Sequence, residues 1–182
     1  MAKILVTYAT RFGSTADVAA AITDALREQE YTVDLRAMAD VTALRDYDAV
    51  VLGSGVNYAR WLEPALTFLH THEVALQGLP VAVFSVHIRN VGDDATSRAA
   101  RRAYLDEVRP FVQPVSEGYF AGRFNRHGAV VLLPGWIGRF VPTIDLRKWE
   151  KIRAWAAALP TALFPPATKQ GVNHVADRHF TS

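Results

Sequence analysis

The chain has 182 residues, half of them hydrophobic, with a formal net charge of +2, a pI near 9.0 and no cysteine. The length suits one domain with a packed core, and the missing cysteines exclude disulfides, thiolate metal centres, iron–sulfur clusters and cysteine nucleophiles. No apolar run reaches the ~18–20 residues of a membrane span, no signal peptide is evident, and the small basic surplus favours anionic partners only weakly.

Residues 2–9 predict a buried first strand. Thr10-Arg11-Phe12-Gly13-Ser14-Thr15 follows at once, and a helix over 14–30 begins inside that turn, with Val18, Ile22, Ala25 and Leu26 at helical spacing. Residues 32–36 alternate like a strand near an edge. Residues 49–52 form an apolar run, as expected of a central parallel strand buried on both faces. Gly53-Ser54-Gly55 closes it. A short helix over 64–73 carries Leu66, Phe68 and Leu69, and residues 80–86 read as another buried strand. A helix is predicted from Asp93 and Asp94 to about 112, with Ala99, Ala103, Tyr104 and Val108 on its inner face. Residues 115–124 read as the last strand, broken by Gly118 and Gly122. A final helix over 146–163 carries Trp149, Ile152, Trp155, Ala156 and Leu159. Five strands alternating with about five helices predict a doubly wound parallel sheet of order 2-1-3-4-5, covered on both faces. Such sheets bind ligands outside the carboxyl ends of the strands, at the switch point between the first and third. The domain is read as 1–164, and 165–182 as an irregular tail.

Three turns therefore carry the chemistry. The first, with one glycine, lacks the G-x-G-x-x-G of dinucleotide folds and has no P-loop lysine. It can still hold a phosphate, through backbone N–H groups, the hydroxyls of Thr10, Ser14 and Thr15, and about half a positive charge at the helix N-terminus. An ordinary turn with Ser14 or Thr15 as helix cap is the plainer reading. The second turn is Ser54-Gly55-Val56-Asn57-Tyr58-Ala59-Arg60-Trp61. Its glycine permits close backbone approach, Asn57 can hydrogen-bond a ring edge, and Tyr58 or Trp61 can stack on a flat ring or pack the next helix. The third, Ser85-Val86-His87-Ile88-Arg89-Asn90-Val91-Gly92, offers polar groups and no acid.

The T-x-x-G-x-T turn resembles the phosphate loop of the flavodoxin-like family. The opening Ile4-Leu5-Val6-Thr7-Tyr8-Ala9 with Thr10-Arg11-Phe12-Gly13-Ser14-Thr15 is similar to that of the menaquinone-dependent protoporphyrinogen IX dehydrogenases, a branch of that superfamily. Gly53-Ser54-Gly55-Val56-Asn57-Tyr58, Phe84-Ser85-Val86, Phe120-Ala121-Gly122-Arg123 and Asp145-Leu146-Arg147-Lys148-Trp149 resemble further motifs of the branch. The resemblance implies a flavodoxin-like fold and FMN as cofactor. Thr10, Arg11, Phe12, Gly13, Ser14 and Thr15 would bind the phosphate. Ser54, Gly55, Val56, Asn57 and Tyr58 would flank the ring from one side, and Ser85, Val86, His87, Ile88, Arg89 and Gly92 from the other. The chemistry is then the flavin's, so no catalytic acid or base is expected, with Arg89 or His87 as a stabiliser of the reduced ring.

The resemblance implies an FMN-dependent oxidoreductase that passes electrons from a reduced organic donor, such as protoporphyrinogen IX, to a quinone-type acceptor. The alternative is a soluble flavodoxin-type carrier acting with a redox partner protein. Such carriers present an acidic face around the flavin, whereas this chain is mildly basic and bears Arg89. A phospho-receiver is excluded, because Ala9-Thr10 and Gly53-Ser54 stand where its acids are required. The segment 125–145 is shorter than the family's insertion. Its apolar run Ala129-Val130-Val131-Leu132-Leu133, with Trp136, Ile137 and Phe140, reads either as a lid or contact for quinone, porphyrinogen or membrane, or as core or homodimer contact. The expected location is cytoplasmic, with peripheral contact at the inner face of the membrane. His70-Thr71-His72-Glu73 reads as a solvated helix end rather than a metal site. Arg98, Arg101, Arg102 and Arg109 read as a solvated face, not a nucleic-acid patch.

Overall fold

The computed structural model describes residues 1–124 and 144–166. Its three inner strands are apolar on both faces because each lies between two layers of helix. In β1 (Lys3–Ala9), Ile4 and Val6 enter one core while Leu5 and Ala9 enter the other. α1 (Ser14–Arg27) and a helix we number α5 (Trp149–Leu163) cover the first face. α2 (Glu63–Thr71), the short α3 (Glu73–Gln77) and the turns of 104–112 cover the second.

β2 (Thr32–Ala37), β1, β3 (Ala49–Asn57), β5 (Val81–His87) and β6 (Ser116–Ala121) form the sheet, in the order β2-β1-β3-β5-β6 and parallel throughout. This is the expected 2-1-3-4-5, renumbered because the two-residue β4 (Arg60–Trp61) hangs off β3. A second small sheet pairs β7 (Arg123–Phe124) with β8 (Ile144–Asp145). From β1 the chain passes outward to β2, then back across β1 to β3, so the crevice between β1 and β3 is the switch point.

Three expectations change. The third strand runs on to Asn57, so Gly53, Ser54 and Gly55 lie inside it and the turn proper is Tyr58-Ala59. The helix expected over 93–112 stops early: α4 is Ala95–Ala103 and tighter turns continue from Tyr104. Ala99 and Ala103 face solvent, while Arg101, Tyr104, Leu105, Val108 and Val112 turn inward. Arg101 turns inward because its guanidinium donates to the carbonyl oxygens of Asn90 and Gly92. Finally, the last strand breaks at Gly122 alone; Gly118 sits within β6. The apolar run 129–133 with Trp136, Ile137 and Phe140, and the tail beyond 166, lie outside the described residues.

Candidate functional site at the strand ends

The register brings the three turns to one end of the sheet. Ala9 pairs with Ser54, and Ser54 pairs with Ser85, so the first turn leaves β1 beside these two serines, while β3 runs on to Asn57 and β5 to His87 before their own turns.

At the first turn, Gly13 has a φ of +85°, a left-handed conformation that glycine adopts without strain. Its N–H donates to Thr10 Oγ1 at 3.0 Å, which leaves the Thr10 hydroxyl proton to bond outward. α1 has no side-chain cap, and its first helical bond runs from the Asp17 N–H to the Gly13 carbonyl at 3.1 Å. The N–H groups of Ser14, Thr15 and Ala16 therefore lack intrahelical acceptors, as the first turn of any helix does. Ser14 is buried, and its Oγ accepts from the Arg123 N–H at 2.8 Å. Thr15 is 2 % exposed, and its hydroxyl has no hydrogen-bond partner among the described residues. Gly55 faces it so closely that an added Cβ would lie 3.2 Å from Thr15 Oγ1. An uncapped helix start, an unused hydroxyl on a nearly buried residue and a cradle that a Cβ would narrow fit a phosphate.

The second turn is a two-residue hairpin between Asn57 and Arg60, with φ of 49° at Tyr58 and 61° at Ala59. Positive φ at both central residues is the type I′ turn, usually built from Asn and Gly. Tyr and Ala carry a cost there of about 1–2 kcal/mol each. The hairpin holds the Tyr58 ring 86 % exposed. Trp61 turns the other way: it is buried, and its Nε1 donates to Ser85 Oγ at 2.8 Å. Of the two stacking candidates only Tyr58 is available. Ser54 Oγ, beneath the hairpin, accepts from the Leu62 N–H at 3.1 Å.

In the third turn, Ile88, Arg89, Val91 and Gly92 are exposed, whereas Val86 lies in the core. Phe12, Tyr58, Ile88 and Val91 are thus four large exposed apolar side chains gathered on these three turns. Exposed apolar surface around a phosphate cradle fits a flat, largely apolar ring.

His87 departs from its expected role. It is 4 % exposed, beside the Tyr104 ring at 5.5 Å, with Nδ1 buried and unpartnered. Burial, and then the nearby Arg101 charge, push its pKa down to about 4. A neutral imidazole supplies no positive charge to a reduced ring, so of the two residues named for that role only Arg89 can fill it.

Long-range support behind the first turn left no local pattern to read. Asp17 receives Arg147 Nη1 at 2.6 Å and Arg123 Nη2 at 3.3 Å, and Arg147 also binds Asp145 at 2.6 Å. These Arg147 bonds hold the Asp145 carboxyl down at about 2. The His70 ring packs on Phe111 and the His72 ring on Phe68. No group of three or more potential metal ligands occurs among the described residues. Among them no helix is long and apolar enough to cross a membrane.

The comparisons with known proteins agree with this geometry. The model of the flavodoxin domain matches residues 5–128. A protein of Leishmania major named protoporphyrinogen IX dehydrogenase [quinone] is 27% identical over 186 residues, covering 92% of this chain and 79% of its own. An archaeal flavodoxin superposes with a TM-score of 0.55 at 18% identity, over 88% of this chain and 98% of the other. Oxidised flavodoxin 2 from Bacillus cereus gives 0.55 at 22% identity, over 89% and 97%. The last two likenesses show the fold. With the domain match spanning more than half of the sequence, the chain belongs to the flavodoxin-domain family, whose cofactor is FMN.

Proposed function

We propose that the three turns hold FMN and that the protein is an FMN-dependent oxidoreductase, passing electrons from a reduced organic donor to a quinone-type acceptor. The observation that carries the reading is the junction just described: an uncapped helix start with the unused Thr15 hydroxyl, next to four exposed apolar side chains. Thr10, Ser14 and Thr15 hydroxyls, with the backbone of Arg11, Phe12 and Gly13, take the phosphate. Ser54, Gly55, Val56, Asn57 and Tyr58 form one flank of the ring site, with Tyr58 as its aromatic wall. Ser85, Val86, His87, Ile88, Arg89 and Gly92 form the other, with His87 acting from behind as a neutral packing group. When bound, FMN supplies the electron chemistry. The chain's own part is to orient the ring, exclude water from its flanks through Phe12, Tyr58, Ile88 and Val91, and set the local charge through Arg89.

The name of the Leishmania major relative supports a porphyrinogen donor and a quinone acceptor. The third turn, cationic and free of acids through Gly92, speaks against a carrier that docks basic partners through an acidic face. The test is turnover of protoporphyrinogen IX with a menaquinone analogue by the FMN-loaded protein. Turnover supports the enzyme. Electron exchange with a flavodoxin reductase and no porphyrinogen turnover would replace it with the carrier.

A further inference from the structure

Beyond the third turn, where β5 and β6 end against α4 and the start of α5, lies a cavity of about 170 Å³. Arg101, Lys148 and Lys151 line it, together with His87 and Tyr119. One acid, Asp93, is at its rim, with an 81% exposed side chain. Neither lysine makes an ion pair among the described residues. Arg101 has only a 10% exposed side chain, and its Nη1 is committed to the carbonyl oxygens of Asn90 and Gly92. Its Nη2 stays 3.9 Å from Asp93 Oδ1, too far for a hydrogen bond. His87 contributes a buried Nδ1 without a partner. Lys148 is also the N-cap residue of α5, a helix of 15 residues with no side-chain cap.

Three cations around one small cavity repel each other, and an anion seated among them offsets that repulsion. Arg101 is held at 8 % exposure by the carbonyl oxygens of Asn90 and Gly92, which makes it a fixed cation in the cavity wall. The cavity also shares a wall with the third turn, because Arg101 is tied to the backbone of Asn90 and Gly92.

We propose that this cavity is an oxyanion site, taking a carboxylate or phosphate arm of the organic electron donor between Arg101, Lys148 and Lys151, with the His87 ring in the adjoining wall. The link to an electron donor rests on the FMN reading of the neighbouring turns; the oxyanion site itself does not. Through Arg101 the bound arm is coupled to the backbone of the turn that flanks the ring site, which positions an acidic donor and discriminates against an uncharged one.

The test is nuclear magnetic resonance of the His87 imidazole, identified by its loss in His87→Gln, in the full chain with and without FMN. Succinate and inorganic phosphate are titrated separately at constant ionic strength, with chloride as control. A saturable His87 shift with succinate or phosphate, at least about tenfold weaker in Lys148→Gln/Lys151→Gln, supports the site, and the effective probe identifies the arm. FMN affinity stays unchanged in that double variant. In steady state the variant raises KM for an acidic donor at least about tenfold and leaves kcat and the KM of an uncharged donor alone. No saturable shift with either probe, or binding unaltered in the double variant, overturns the proposal. Anion binding in a chain that takes up no FMN would defeat the FMN reading and with it the donor role, leaving the oxyanion site standing.

Discussion

Replacing Thr15 by valine keeps the shape of the side chain and removes one hydroxyl. In the free protein that hydroxyl is on a residue 2 % exposed and has no hydrogen-bond partner among the described residues. Its loss therefore breaks no hydrogen bond within the described residues, and folding stability should stay level to within about 0.5 kcal/mol. In the complex the same hydroxyl donates to a phosphate, and a hydrogen bond to a charged group is worth about 1.5–3 kcal/mol. The dissociation constant of FMN should rise by about 10- to 150-fold. Ser14→Ala should behave differently, because Ser14 Oγ accepts from the Arg123 N–H. That substitution orphans a backbone donor and lowers stability by about 1–3 kcal/mol as well as weakening FMN. Gly55→Ala gives a third view: its Cβ would sit 3.2 Å from Thr15 Oγ1 and crowd the hydroxyl. Combined with Thr15→Val it should cost less FMN affinity than the sum of the two. The assay is quenching of FMN fluorescence on titration with protein, alongside urea unfolding of each variant. FMN affinity unaltered in Thr15→Val would refute the placement of the phosphate.

Other expectations follow from the same structure. Tyr58→Gly relieves a positive φ of 49°, worth about 1–2 kcal/mol, against a glycine entropy cost of about 0.5–1 kcal/mol. The variant should melt slightly higher yet hold FMN less tightly; weaker folding in thermal scans would contradict the hairpin argument. Gly53→Ala would drive a Cβ to 2.0 Å from the fully buried Phe84 ring, so chemical denaturation should show a loss of at least about 1–3 kcal/mol. Trp61→Phe removes the bond to Ser85 Oγ and should cost about 1–3 kcal/mol of stability with FMN affinity retained. His87 has a folded pKa near 4, below its usual 6.5, so the unfolded chain binds the proton first as pH falls. Its share of stability is intact above about pH 6.5 and is lost by about pH 4, roughly 3 kcal/mol in all. Urea unfolding at several pH values should show that slope flattened in His87→Gln; an equal slope would contradict it.

The sheet was legible because its strands are short apolar runs between helical repeats, and β1, β3 and β5 are buried on both faces as those runs require. The three turns were legible because topology alone places them at the strand ends. What local pattern could not reveal is direction. Trp61 and Tyr58 differ little as sequence, but the positive-φ hairpin sends one into the core and the other into solvent. Arg101 reads as one more solvated arginine until the carbonyls of Asn90 and Gly92 are seen to capture it. That capture turns Arg101 inward and leaves Ala99 and Ala103, expected on the inner face, in solvent. His87 looks like a charge donor at the end of a strand, and only its burial beside Tyr104 and Arg101 shows it to be neutral. The partnership of Ser14 with Arg123 spans 109 positions, beyond the reach of any helical or strand period.

The most direct measurement of the central claim is the visible absorption spectrum of the purified protein, followed by mass identification of what it releases on heating. The account predicts a yellow protein, or a colourless one that turns yellow with added FMN, and FMN as the released compound. A chain that carries no flavin and leaves the fluorescence of added FMN unquenched would contradict it.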